Sequence, residues 1–182
     1  AIQDSGAIAS AAIVKLGTAL YGVANGADPL TVVVPVFSTK SIQQSTPISG
    51  VANTLTVTLT ANLDISAGFT VTISGLTGST TEDAASLGVT STSSTLGTTG
   101  GWTKSSGTLV LTVASGGTTA TTDYEVTFVL DNTASAQSSP AVSVVAAIQD
   151  SGAIASAAMV KPGTGLYGVA NGADPLTVVV PV

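Results

Sequence analysis

The side chains available limit the chemistry this sequence can do, and it offers few of the reactive ones. His, Cys and Arg are all absent. That removes the imidazole base, the thiolate nucleophile, the Cys/His zinc cage and the guanidinium clamp on phosphate. What remains is hydroxyls beside lysines and a thin scatter of carboxylates. Lys104-Ser105-Ser106, and Ser10 with Lys15, have the parts of a nucleophile and its base. In a chain this rich in Ser, however, a Ser next to a Lys is expected from composition alone. Glu82 and Asp83 are adjacent, and Asp28, Asp123, Asp131, Asn132 and Asp174 flank turn-forming sequence, so oxygen ligands for calcium are conceivable. The dense Asp-x-Asp spacing of a calcium loop is missing, and local Asx-turn bonding accounts for these residues. The sequence therefore predicts no enzyme, no catalytic residue, no cofactor and no metal site. One covalent option remains, a Lys-to-Asn isopeptide cross-link from Lys15 or Lys40, which intact mass would reveal.

Charge excludes further classes. Of 182 residues only 8% are charged, with four Lys against ten Asp and Glu, for a net charge of −6. Nucleic acid and anionic lipid both require clustered basic residues, so neither is a predicted partner. No apolar run is long enough for a membrane helix, so no membrane insertion is predicted. Residues 6–14 have the length of a signal-peptide core, but they recur at 152–160, and a cleaved signal does not recur within the mature chain. No Asn-x-Ser/Thr sequon is present; sugar on the many hydroxyls, and glycans as partners, stay open.

The recurrence is general. Residues 1–36 return at 147–182, differing only as Ile13/Met159, Leu16/Pro162 and Ala19/Gly165. Near-identity at a fixed period marks a tandem array. The reading is one full period, 1–146, followed by the start of the next, 147–182, with both ends of the sequence cut from a longer series. Ile-to-Met keeps apolar volume, which predicts a buried position 13. Pro162 and Gly165 lie in a segment, 15–19 and 161–165, that reads as turn.

Two-residue alternation dominates the middle of the chain. Leu55, Val57 and Leu59 alternate with Thr54, Thr56, Thr58 and Thr60; the same pattern covers Phe69 to Ile73, Leu109 to Val113 and Tyr124 to Leu130. Further strands are expected at 31–36, 141–146 and 177–182, with weaker ones at 7–14 and 88–93. Residues 25–29, 75–78, 98–101 and 115–117 have turn composition, and no helical stripe is sustained anywhere. These features predict an all-β, immunoglobulin-like antiparallel β-sandwich forming one unit of a tandem repeat, with Trp102 and the three Phe in its core.

The stretch 30–36, Leu-Thr-Val-Val-Val-Pro-Val, is apolar on both faces and includes a proline that cannot donate a ladder bond. Unpaired it would be an aggregation hazard, so it must be buried in its own unit or lent to a neighbour. Leu30, Val32, Val34 and Val36, with Leu176, Val178, Val180 and Val182 in the second copy, are the candidate assembly residues.

Ala67-Gly68-Phe69-Thr70-Val71-Thr72-Ile73-Ser74-Gly75-Leu76-Thr77-Gly78-Ser79, Gly101-Trp102, residues 107–114, and Phe128-Val129-Leu130-Asp131-Asn132 before Gln137 and Pro140 resemble a Ser/Thr/Gly-rich repeat module of giant secreted or surface proteins of unicellular algae. The resemblance spans roughly residues 50–146 and implies a structural, extracellular or cell-surface role without catalytic residues. The expected function is a subunit of an extracellular filament or surface coat, assembled head to tail with neighbouring copies, either as covalent beads or by strand exchange between neighbours. Alternatives are a carbohydrate-binding or adhesin module, for which Trp102, Tyr21, Tyr124 and Tyr167 are the available rings, and a viral coat or tail-fibre protein of the same fold class.

Overall fold

The computed structural model describes residues 11–181. It is an all-β antiparallel structure of nine strands: β1 Phe37–Gln44, β2 Ala52–Ala61, β3 Thr70–Ser74, β4 Ala84–Ser91, β5 Thr99–Thr103, β6 Thr108–Thr112, β7 Tyr124–Asp131, β8 Ser143–Ala147 and β9 Ala153–Ala158. They form one continuous sheet in the order β1-β2-β7-β4-β5-β6-β3-β8-β9. A sheet whose strands each bury one face must wrap around that face. Here the bend lies in β4, whose Leu87 and Gly88 pair with β5 while Val89, Thr90 and Ser91 pair with β7. At the far edges, Val160 just past β9 bridges Ser41 of β1 in parallel, so the sheet almost closes into a barrel.

The alternating segments fold as their pattern dictates. Leu55, Val57 and Leu59 of β2, Val71 and Ile73 of β3, Leu109 and Leu111 of β6, and Val126, Phe128 and Leu130 of β7 all point into one core. Thr54, Thr56 and Thr58 lie on the opposite, half-exposed face, where a branched hydroxyl side chain suits the pleat, while Thr60 near the strand end is buried. Phe37, Phe128 and Trp102 are buried, and Phe69 packs half-buried against them. Trp102 also donates its indole N–H to the Thr81 carbonyl at 3.1 Å.

Several segments differ from the sequence-based expectation. Residues 98–101 are not a turn; Thr99–Thr103 is β5. Gly100 is there because a Cβ would meet the Leu109 side chain at 2.8 Å, so the glycine marks close approach within a strand. Residues 31–36 form no strand, and the second copy of that stretch makes only isolated bridges, Ile48 with Val179 and Gln137 with Val178. Left-handed backbone at Leu30 (φ 63°) and Leu176 (φ 56°) breaks the extended run before it can form a ladder. Of 7–14, residues 7–10 lie outside the described ones and 11–14 are irregular, whereas the corresponding second-copy stretch contains β9. β1, with the polar sequence FSTKSIQQ, was not expected as a strand.

The folded body draws on both periods. Its core includes Ile148, Ile154, Met159 and Leu176, all from the second copy, so the body runs from residue 37 to 181 and is offset from the 146-residue sequence period.

Candidate functional site: two copies of one segment at opposite ends

The body has two ends. One carries the end of β2, the start of β7 and the β8–β9 turn, tied together where Gln149 Nε2 donates to the Asp64 carbonyl at 2.7 Å. The other carries the β1–β2 turn and the segment after β7. The second copy enters at the first end, crosses the body as β9, and folds over the other end as a plug of residues 159–181. The first copy, from residue 11 to 36, sits on the first end. One chain therefore presents the same segment in two environments.

Locally the two copies are the same object. Gly17 N–H donates to Asp28 Oδ1 at 2.7 Å, and Gly163 N–H donates to Asp174 Oδ1 at 2.7 Å. Ala27 N–H reaches the Thr18 carbonyl and Ala173 N–H the Thr164 carbonyl, both at 3.1 Å. Tyr21, Asn25 and Leu30 have positive φ, as do Tyr167, Asn171 and Leu176. The loop keeps this shape whether docked or not, so its conformation is set by its own turn chemistry.

Their surroundings are opposite. Leu176 is 0% exposed, Val178 2% and Met159 6%, whereas their counterparts Leu30, Val32 and Ile13 are 98%, 85% and 87% exposed. Position 13 is thus buried in one copy and bare in the other. Among the remaining candidate assembly residues, Val34, Val36 and Val180 are exposed and Val182 lies outside the described residues.

The docked plug is held by backbone. Val178 and Gln137 exchange both amide bonds, at 2.8 and 2.9 Å; Val179 N–H donates to the Pro47 carbonyl and Ser49 N–H to the Val179 carbonyl. Beneath them is a buried amide ladder that the sequence reading did not single out. Asn53 Nδ2 donates to Gln44 Oε1 at 2.7 Å and to Asn132 Oδ1 at 2.9 Å. Gln44 Nε2 in turn donates to the carbonyls of Gly172 and Thr177, both at 2.8 Å. Asn132 Nδ2 holds the Thr46 and Ile48 carbonyls. Gln137 Nε2 and Ser139 Oγ add bonds to the Leu176 and Pro175 carbonyls. Side-chain amides can donate and accept at once, which lets three of them link β1, β2 and the segment after β7 to the plug with nothing left unpaired. Parity gave the signal: Asn53 continues the inward series of Leu59, Val57 and Leu55, Asn132 that of Phe128 and Leu130, and Gln44 that of Ile42.

The first copy uses a different face. Asp64 N–H donates to the Tyr21 carbonyl at 2.9 Å, and Tyr21 Oη donates to Asp150 Oδ2 at 2.8 Å. Asn62 clamps the strand entry, accepting from Val36 N–H and donating to the Val34 carbonyl, both at 2.9 Å. Val23 packs against the core. The counterpart Tyr167 is 73% exposed and a Cβ on Gly168 would meet nothing, so this second face is bare on the docked plug.

The hydrogen bond to Asp150 and that carboxylate's charge hold the Tyr21 hydroxyl above its ordinary pKa of 10.0. A pKa raised in the docked state means the contact is at full strength below the ordinary value and is lost as pH rises through the raised one. The protection of the Asp64 amide relative to its intrinsic, base-catalysed exchange rate should therefore fall above that pH, and Tyr21→Phe should abolish the step without changing the melting temperature of the body. An unchanged step in Tyr21→Phe would remove Tyr21 from the contact.

Among the described residues no three carboxylates gather into a group able to hold a metal ion. Lys104 pairs with Glu82 at 2.7 Å on the surface, and Lys40 Nζ donates to the Phe37 carbonyl at 3.3 Å. Comparison with known proteins finds no family model that matches the chain and no match among curated proteins.

Proposed function

We propose that this chain is a structural subunit of an extracellular filament or surface coat, built as a head-to-tail series of β units in which the segment opening one repeat completes the repeat before it. The observation that carries this reading is the placement of the two near-identical segments at opposite ends of one body, each with a different face covered. Continuing the series beyond the second copy would set a following body against the bare Tyr167 face, as the first copy already sits against its own body.

Backbone strain supports the same reading. A leucine in left-handed conformation costs on the order of 1–2 kcal/mol. At Leu176 burial in the core offsets that cost; at Leu30, 98% exposed, nothing among the described residues does, which fits a residue meant for a core elsewhere. The low charge and hydroxyl-rich faces suit lateral packing, and the extracellular setting follows from the resemblance to giant secreted repeat proteins.

The burial of Trp102 supports a scaffold over a carbohydrate-binding module, because a ring with both faces packed in the core cannot stack on a sugar. Imaging of native material tests the proposal. A compact body of this size has a radius of gyration of about 15 Å, which predicts an axial repeat near 40 Å with chain passing continuously between units. A spacing of half or twice that, or solitary particles, would overturn it.

A further inference from the structure

We propose that residues 11–35 are a transferable plug: they insert into the end cleft of a second copy of this chain in place of that copy's residues 159–181, while their Tyr21 face stays on their own body, so that separate chains join head to tail without a covalent link. This rests on the reading above that each segment completes the preceding unit.

The occupant of the cleft is identified by the chain itself, since the same sequence with few changes is already seated there. Those changes are compatible with exchange. Ile13 replaces Met159, the one differing residue that is buried, with similar apolar volume. Leu16 and Ala19 replace Pro162 and Gly165, which are exposed on the docked plug and take part in none of the hydrogen bonds that hold it in the cleft. The plug's grip on Gln137, Pro47, Ser49 and Gln44 is made through its backbone and through positions identical in both copies.

The first copy is also ready to dock. Its internal hydrogen bonds and left-handed residues match those of the docked plug, so insertion requires little further ordering of the loop. Nor does insertion require it to leave its own body. The bonds holding the first copy use Tyr21, Val34 and Val36, while docking buries Ile13, Leu30 and Val32; in the docked plug, Tyr167 and Val180 remain exposed. A segment gripped on both faces forms a joint between two bodies instead of a flexible link.

In the intact chain the tethered second copy has the advantage of high effective concentration. The test therefore weakens that copy alone. The full chain with Leu176→Asp and Val178→Asp should sediment as a concentration-dependent ladder of integer multiples of the chain mass. Peptide 11–36 in molar excess should collapse the ladder to single chains by capping clefts. Adding Leu30→Asp and Val32→Asp to the same chain should abolish it. A variant that stays single, or oligomers that persist with the peptide or with all four substitutions, would overturn the proposal.

Should the first variant fail to fold, a second arm avoids the core. The chain has no cysteine, and residue 137 pairs directly with residue 178, the counterpart of 32. Val32→Cys with Gln137→Cys should trap exchanged chains as disulfide-linked multimers on prolonged oxidation, and single chains only would overturn exchange. Exchange and array fail separately: a continuous covalent string in native material with chains that never join removes only exchange, while joining chains with solitary native units removes only the array.

Discussion

Leu176→Ala should destabilise the body by about 2–5 kcal/mol, while Leu30→Ala, the same change at the same place in the near-identical copy, should fall within about 0.5 kcal/mol of the parent. Leu176 is fully buried in the same core cluster as Met159, so truncation leaves a cavity that the surrounding backbone bonds cannot collapse to fill. Leu30 projects into solvent, and its removal exposes nothing. Backbone strain does not confound the comparison, because both residues have similar positive φ and alanine inherits it equally. Urea denaturation followed by circular dichroism reads both. For a chain of this length, about 3 kcal/mol corresponds to a fall in melting temperature of roughly 6–12 °C. Equal effects would mean that the first copy is also packed in solution, and the opposite-end arrangement would be lost. The contrast also fixes a design rule: in an array every plug except an unpaired terminal one should be as sensitive as Leu176.

Much of this arrangement is written in local pattern. The inward residues of β2, β3, β6 and β7 follow from strict alternation, because burying one face of a pleated strand requires it. The all-β class and the burial of Trp102 follow as well. The elements that escaped pattern reading each have a physical reason. β1 alternates poorly because its neighbours at the sheet's almost-closed edge include plug backbone as well as apolar side chains, so polar residues such as Gln44 find partners inside. β5 was hidden by two adjacent glycines, of which Gly100 lacks a Cβ because β6 packs close against it. The stretch from Leu176 onwards is as apolar as expected, yet its left-handed entry and the prolines on either side of its valines, Pro175 and Pro181, make it a cap. No reading of one copy alone could assign it to a core or to solvent, because the sequence is the same in both places. The difference lies in which body lies behind it.

The amide ladder is where the largest single effect is expected. Asn53→Leu keeps the side chain's approximate volume but leaves Gln44 Oε1, Asn132 Oδ1 and the Thr46 N–H without their partner in a buried site. At about 1–3 kcal/mol for each of the three orphaned groups, the loss is about 3–9 kcal/mol, more than an apolar truncation of similar size. The damage should be directional. Gln44 uses its other atom to hold the Gly172 and Thr177 carbonyls, so loosening Asn53 loosens the plug before the body. Hydrogen exchange should show the amides of Val178 and Val179 losing protection under conditions where those of β7 keep theirs. Asn62 supplies the control, since it is also an amide bonded to copy backbone but at the opposite, exposed end; Asn62→Leu should cost no more than about 1 kcal/mol and leave Val178 and Val179 protected. If Asn53→Leu were as stable as the control, the ladder would be incidental to docking and the plug would be held by apolar contact alone. If it behaves as argued, a row of three amides is what lets a polar strand end recognise the backbone of an incoming segment, and the specificity of each joint in the series resides there more than in the valines that fill it.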